Sequence, residues 1–175
     1  MMEGIIDLLK ITIPAAIVLY AAYLIVKSFL EKQLETIEAS RKIDLIKETL
    51  SLRLQAYERI IIFLERISPN NLIVRLNDNS FNVYQLQNIL VKEVREEYNH
   101  NLSQQIYMSD ESWDFVRKSM EEVIATINSS AHELDKEAPS IELAKKVFEN
   151  VLQSEQDVNA VAAKHIKSEV RKLYS

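Results

Sequence analysis

Glu97 and His100 stand three residues apart in Glu97-Tyr98-Asn99-His100, the spacing that sets a carboxylate and an imidazole on one face of a helix, as in di-iron carboxylate bundles. A site of that kind takes a second Glu-x-x-His from another helix. The other two histidines, His132 and His165, have Ser129 and Ala162 at the corresponding positions. The expectation for His100 is therefore a hydrogen-bonded or solvent-exposed ring, and a bundle enzyme with a buried metal ranks last among the function readings. Serines, histidines and aspartates occur, but no stretch resembles a nucleophile elbow, and a single glycine, Gly4, cannot build a glycine-rich phosphate loop. The absence of cysteine excludes disulfides, thiolate metal sites and a cysteine nucleophile together. No catalytic residue, cofactor or small-molecule substrate is expected, so the chain reads as something other than an enzyme.

The polar string Tyr98-Asn99-His100-Asn101-Leu102-Ser103-Gln104-Gln105 concentrates amides and a histidine beside core positions. Its plainer reading is a buried hydrogen-bond network that fixes a bundle; its functional reading is a polar protein-binding face built on Tyr98, His100, Asn101 and Gln104. Trp113 and the seven tyrosines invite the idea of a stacking platform, but Trp113 opens an apolar stripe and is expected in the core.

The elements that would carry these residues are helical. One glycine and three prolines (Pro14, Pro69, Pro139) leave few places to turn a chain sharply, and Leu, Ile, Glu, Lys, Gln and Ala dominate. A formal net charge of −5 without a cluster of Lys and Arg argues against a nucleic-acid partner. From Ile11 to Val26 sixteen residues carry no charge, and Leu8, Leu9, Phe29 and Leu30 extend the run. That reads as one uncleaved transmembrane helix over about 8–30, with Lys10 and Lys27 at the membrane boundaries, their ammonium groups snorkelling outward. A signal peptide would need a basic start, where this chain has Glu3 and Asp7. Lys10 on the short side against Lys27, Lys32, Arg41 and Lys42 on the long side predicts that the C-terminal part is cytoplasmic.

Between Pro14 and Pro69 nothing breaks a helix, so the membrane segment is expected to continue into a long amphipathic stalk, reaching about 90 Å in all. Ser68-Pro69-Asn70-Asn71 ends it, a short Leu72–Leu76 segment follows, and Asn77-Asp78-Asn79-Ser80 makes another turn. A helix is expected from about Asn82 to Tyr107. Another opens at Ser109-Asp110-Glu111 with the stripe Trp113, Val116, Met120, Val123, Ile127, Ala131 and Leu134. A last one follows Pro139-Ser140 and aligns Ala144, Val147, Phe148, Val151, Leu152, Val158, Ala162, Ile166, Val170 and Leu173. The fold class is thus all-α: anchor 1–30, stalk 31–68, and a bundle domain 69–175 in which the distal stalk, roughly Leu50 to Ile67, packs with three further helices.

Two stretches, Leu52-Arg53-Leu54-Gln55-Ala56-Tyr57-Glu58-Arg59 with Phe63 to Pro69, and Glu96-Glu97-Tyr98 through Gln104-Gln105-Ile106-Tyr107 with Ser109 and Trp113, are joined to the N-terminal apolar run. In these the chain resembles an uncharacterised family of small single-pass membrane-anchored helical proteins of Gram-negative bacteria. The likeness reaches to about Leu134 and implies an inner-membrane setting without a site to carry over. The leading function is a membrane-tethered helical scaffold or interaction module, because the stripe from Leu30 to Leu50 has no partner in the chain unless the last helix returns along it. Self-association or a protein partner would cover it. A stator-like peripheral stalk of a membrane complex is the alternative.

Overall fold

The computed structural model describes residues 2–154 and 156–173, with side chains from Ala16 onward except those at 39, 42, 43 and 45. Among these residues the chain is all-α, with six α-helices, one 3-10 helix and no strand. It divides into two units, Met1–Leu50 and Ser51–Ser175.

The first unit consists of the leading part of α1 (Met2–Arg66). Four successive apolar residues, Ile17, Val18, Leu19 and Tyr20, are 63–71% exposed, and Leu24, Ile25, Val26, Phe29, Leu30, Leu34 and Ile37 are exposed too. Lys27 pairs with Glu31 one turn on, at 3.9 Å. Among the described residues no helix is long and apolar enough to cross a membrane. The described part of the uncharged run, Ala16 to Val26, has eleven residues; a span needs about twenty. Lys10 and the first five residues of the run, 11–15, lie outside the described side chains.

The second unit is a bundle built on the distal part of α1. Its members are α2 (Pro69–Leu76), α3 (Val83–Asn101), a 3-10 helix (Leu102–Tyr107), α4 (Asp110–His132), α5 (Ser140–Gln153) and α6 (Val158–Lys172). α1 stops at Arg66 because the backbone before Pro69 must leave the helical region, and Ser68 has ψ 136°. The carbonyls orphaned there are taken up: Glu65 O accepts from Ser68 Oγ and Asn71 Nδ2, both at 2.8 Å, and Leu64 O accepts from Asn159 Nδ2 of α6 at 3.1 Å. Pro69, expected only to end the stalk, also starts α2, where its missing N–H costs nothing.

α3 begins with a capping box in which Asn82 Oδ1 accepts from Gln85 N and Gln85 Oε1 accepts from Asn82 N. Val83 N donates to Ala138 O and Ser140 N to Phe81 O, an isolated antiparallel bridge that ties the starts of α3 and α5 together. The expected helix to Tyr107 changes character at Asn101, where the chain tightens into the 3-10 turn.

Cross-links between helices set the directions. Gln87 with Asn128 and Tyr98 with Trp113 run α3 antiparallel to α4. Lys146 with Glu133 and Asn150 with Ser130 do the same for α5, and Ser119 with Asn159 and Ser112 with Glu169 for α6. α5 and α6 therefore lie end to end along α4, where a single last helix was expected. The break comes at Ser154, whose backbone turns out of the helix, and α6 restarts on Asp157, whose carboxylate accepts from Asn159 N and Ala160 N. The result is four columns: distal α1, α3, α4, and α5 with α6. Ile60, Phe63, Leu64, Leu72, Leu86, Leu90, Ile127, Leu143 and Ile166 are fully buried between them.

Candidate functional site

The polar string of α3 divides in space. Asn101 is buried and its Nδ2 donates to Glu97 O in its own helix at 2.8 Å; Gln104, also buried, donates to Ser103 Oγ at 3.2 Å. Neither side chain reaches the other. Tyr98 is half-buried, its ring 6.2 Å from Phe63 and 5.5 Å from Trp113, and burial pushes its phenol above the ordinary value. Trp113 is partly covered against the core rather than enclosed. His100 is exposed and accepts from Arg59 Nη2 at 3.5 Å, since a guanidinium only donates. Its Glu-x-x-His partner Glu97 is engaged elsewhere: Arg66 Nε donates to Glu97 Oε1 at 2.6 Å, and Arg75 Nη1 reaches Glu93 Oε1 at 2.5 Å. Among the described residues no group of three His, Cys, Asp or Glu side chains could hold a metal ion.

The most elaborate polar junction lies at the other end of the chain, on α6. Glu169 Oε1 accepts from Tyr57 Oη at 2.7 Å and Ser109 N at 3.0 Å, with Arg53 Nη2 3.7 Å away; Oε2 accepts from Ser109 Oγ at 2.7 Å and from Ser112 Oγ. Burial by itself raises a carboxyl's pKa. Here the bonds from Ser112, Tyr57 and Ser109 outweigh it and hold Glu169 at about 2. Arg53 then spans the junction, donating through Nε to Tyr107 O at 3.0 Å and through Nη2 to Tyr57 Oη at 3.0 Å. Burial, followed by the Glu169 carboxylate, pushes the Tyr57 phenol up. One carboxylate thus fastens α6 to α1 and to the start of α4. Every acceptor direction it has is occupied, so the junction serves to clamp helices.

Three serines, Ser112, Ser119 and Ser130, are buried on the inner face of α4 beside Val116, Val123 and Ile127. Ser119 Oγ donates to Asn159 Oδ1, and Ser130 Oγ donates to Thr126 O while accepting from Asn150 Nδ2. Their separations of seven and eleven residues keep them on one helical face, the one signal by which the sequence exposes them.

The clearest concavity that is not already filled is a cleft of about 420 Å³ between α3 and α4, lined by Arg95, Tyr98, Asn99, Met120, Glu121 and Ile124. Tyr98, Met120 and Ile124 make an apolar floor. Arg95 and Asn99, one turn apart on α3, have no side-chain hydrogen bond or ion pair with another described residue. Glu121, across the cleft, is engaged by Arg117 at 3.5 Å. The arrangement sets donors without partners over an apolar floor, with the Glu121 carboxylate on the opposite wall.

No curated protein and no solved structure matches the chain. A family model does, over residues 3–173, and its description is a family of unknown function. That match takes in the helix of the first unit as well as the whole bundle, and the chain belongs to this family, DUF7935.

Proposed function

We propose that the protein is a membrane-tethered helical interaction module, held by one span near its N-terminus in the inner membrane of a Gram-negative cell, with the bundle on the cytoplasmic side. The observation that carries this is the exposure of four successive apolar residues, Ile17 to Tyr20, on a continuous helix. At about 100° per residue, four neighbours point to every side. A partner helix covers one side only, and an apolar surrounding covers all of them. The uncharged run from Ile11 to Val26 supports the same reading, and Lys10 and Lys27 bound it. The bundle supports the interaction half: its polar junctions clamp helices, and its open cleft has unsatisfied donors.

The test is membrane fractionation of cells expressing the full chain, followed by an alkaline carbonate wash. The protein is expected to stay in the pellet and to be released by replacing Leu19 and Leu24 with Lys. Recovery of the wild-type chain in the carbonate supernatant would remove the anchor. Protease added to spheroplasts is expected to leave the bundle intact, and digestion would reverse the orientation.

A further inference from the structure

We propose that the α3/α4 cleft of one copy receives Leu152 of a second copy, with Glu149 of that copy set against Arg95, so that the bundle pairs with itself. This rests on the reading of the chain as an interaction module and is independent of the membrane anchor.

Leu152, expected on the apolar stripe of the last helix, is 85% exposed, against 44% for Ile141, while Phe148 and Val151 are partly buried and Leu143, Ala144 and Val147 are buried. Water gains nothing from that side chain; fully burying a leucine is worth roughly 1.5–3 kcal/mol. Val74 and Ile106 project almost as far, but they sit on helices without an acid. Leu152 differs, because Glu149 stands one turn before it on α5, exposed and without an ion pair among the described residues. The knob therefore presents an aliphatic tip and a carboxylate whose one charged neighbour, Lys146, is already paired with Glu133.

The cleft presents the converse. Its floor is Tyr98, Met120 and Ile124, its α3 rim has the unpaired guanidinium of Arg95 and the unbonded carboxamide of Asn99, and the acid on the opposite wall, Glu121, is already paired with Arg117. Arg95 and Glu149 are complementary in charge, and a guanidinium can hold a carboxylate through two parallel bonds. Placement supports a second copy over an unrelated partner. Glu121 and Ile124 of α4 line the cleft, while Glu122, Val123 and Thr126 line the hollow against Asn150 and Val151 at the end of α5. Cleft and knob thus flank the same two turns of α4. Two self-complementary patches on neighbouring faces are what a two-fold axis needs to make both contacts at once.

The chain contains no cysteine, which allows a direct test on the full protein in mild detergent. Met120→Cys and Leu152→Cys variants, mixed and oxidised with copper phenanthroline, are expected to give the mixed disulfide in large excess over either homodimer. Arg95→Glu in the Met120→Cys chain is expected to cut that product at least tenfold. Adding Glu149→Arg to the Leu152→Cys chain should restore it, which separates a lost contact from a misfolded variant. Sedimentation velocity of the wild type should show a dimer that Leu152→Glu disperses. No mixed disulfide, or one that Arg95→Glu leaves unchanged, would overturn the proposal. A wild type that still self-associates without that product would do so too, while leaving the interaction-module reading in place and pointing to the stripe at Leu30, Leu34 and Ile37.

Discussion

Two stretches of α1 use the same kinds of residue and meet opposite surroundings. From Ile17 to Val26 the apolar side chains follow one another and are all exposed; from Ala56 to Ile67, Ala56, Tyr57, Ile60, Phe63, Leu64 and Ile67 are at most 2% exposed, Ile61 is half-buried, and Ile62 alone among the apolar residues is exposed. In the second stretch the charged residues Glu58, Arg59, Glu65 and Arg66 take most of the outward positions, beside Ile62. Both stretches are helical, since neither holds a breaker and both are rich in helix formers. The difference therefore lies in which surroundings each pattern can use. A one-sided stripe asks for a protein core, and an apolar surface all round asks for an apolar surrounding.

The largest effect that tests this contrast is at Phe63. Truncation to Ala should cost about 3–5 kcal/mol of bundle stability, the range for an enclosed aromatic that leaves a cavity. Urea unfolding followed by the fluorescence of Trp113 should show a lower midpoint with an unchanged slope. A loss under about 1 kcal/mol would mean that the Ala56–Ile67 stripe is not enclosed in water, and the contrast with the first stretch would disappear.

The Glu169 junction gives the next effect and fixes its pH dependence. The carboxyl lies at about 2 when folded, below its ordinary 4.5. A depressed carboxyl contributes fully above the unfolded value, and the contribution is lost as pH falls through the folded value. Stability on the order of 2 kcal/mol should therefore drain away between about pH 4.5 and pH 2. Glu169→Gln should lose a similar amount at pH 7 and show a flatter acid limb in urea titrations at stepped pH. Parallel acid limbs for the two proteins would show that the carboxylate is not what joins α6 to Tyr57 and Ser109.

Much of the bundle can be read from residues that act locally. Ser68-Pro69 ends α1, Asn77 to Ser80 turns the chain, and Ser109 with Asp110 and Glu111 opens α4, because each of these acts through its own backbone neighbourhood. The break between α5 and α6 is hidden for a physical reason. Val151 and Val158 lie seven residues apart, so the apolar phase runs on across the interruption, and neither proline nor glycine marks it. The polar junctions are hidden differently: Glu169 meets Ser112, Ser109 and Tyr57 across 57, 60 and 112 residues. Periodicity marks the face a residue occupies, not which residue waits on the facing helix. The polar string at Tyr98 to Gln105 stood out by composition, yet its buried amides bond locally, whereas serines unremarkable by type carry the links between helices.

A smaller effect belongs to the start of α3. Asn82→Ala removes the capping box and the bond from Nδ2 to Glu137 at 2.9 Å, and should cost about 1 kcal/mol. Asn82→Gly, which keeps the turn geometry, should cost only a few tenths. Equal losses would place the stabilisation in the bond to Glu137 instead of the cap.

The smallest effect sharpens the contrast most. Leu34 is an aliphatic residue of the same helix as Phe63 and is 60% exposed. Replacing it with Gln keeps the β-carbon unbranched and the residue helix-compatible, so the unfolding free energy of the bundle should move by less than about 0.5 kcal/mol. Leu34 has little covered surface to lose, so any cost must come from a contact made outside the single chain. A loss that appears only at high protein concentration would show such a contact between copies, since mass action ties association to concentration. A loss above about 1 kcal/mol that does not vary with concentration would mean Leu34 is enclosed within one chain. The first stretch of α1 would then be a second core, and the division between an exposed helix and an enclosed one would fail.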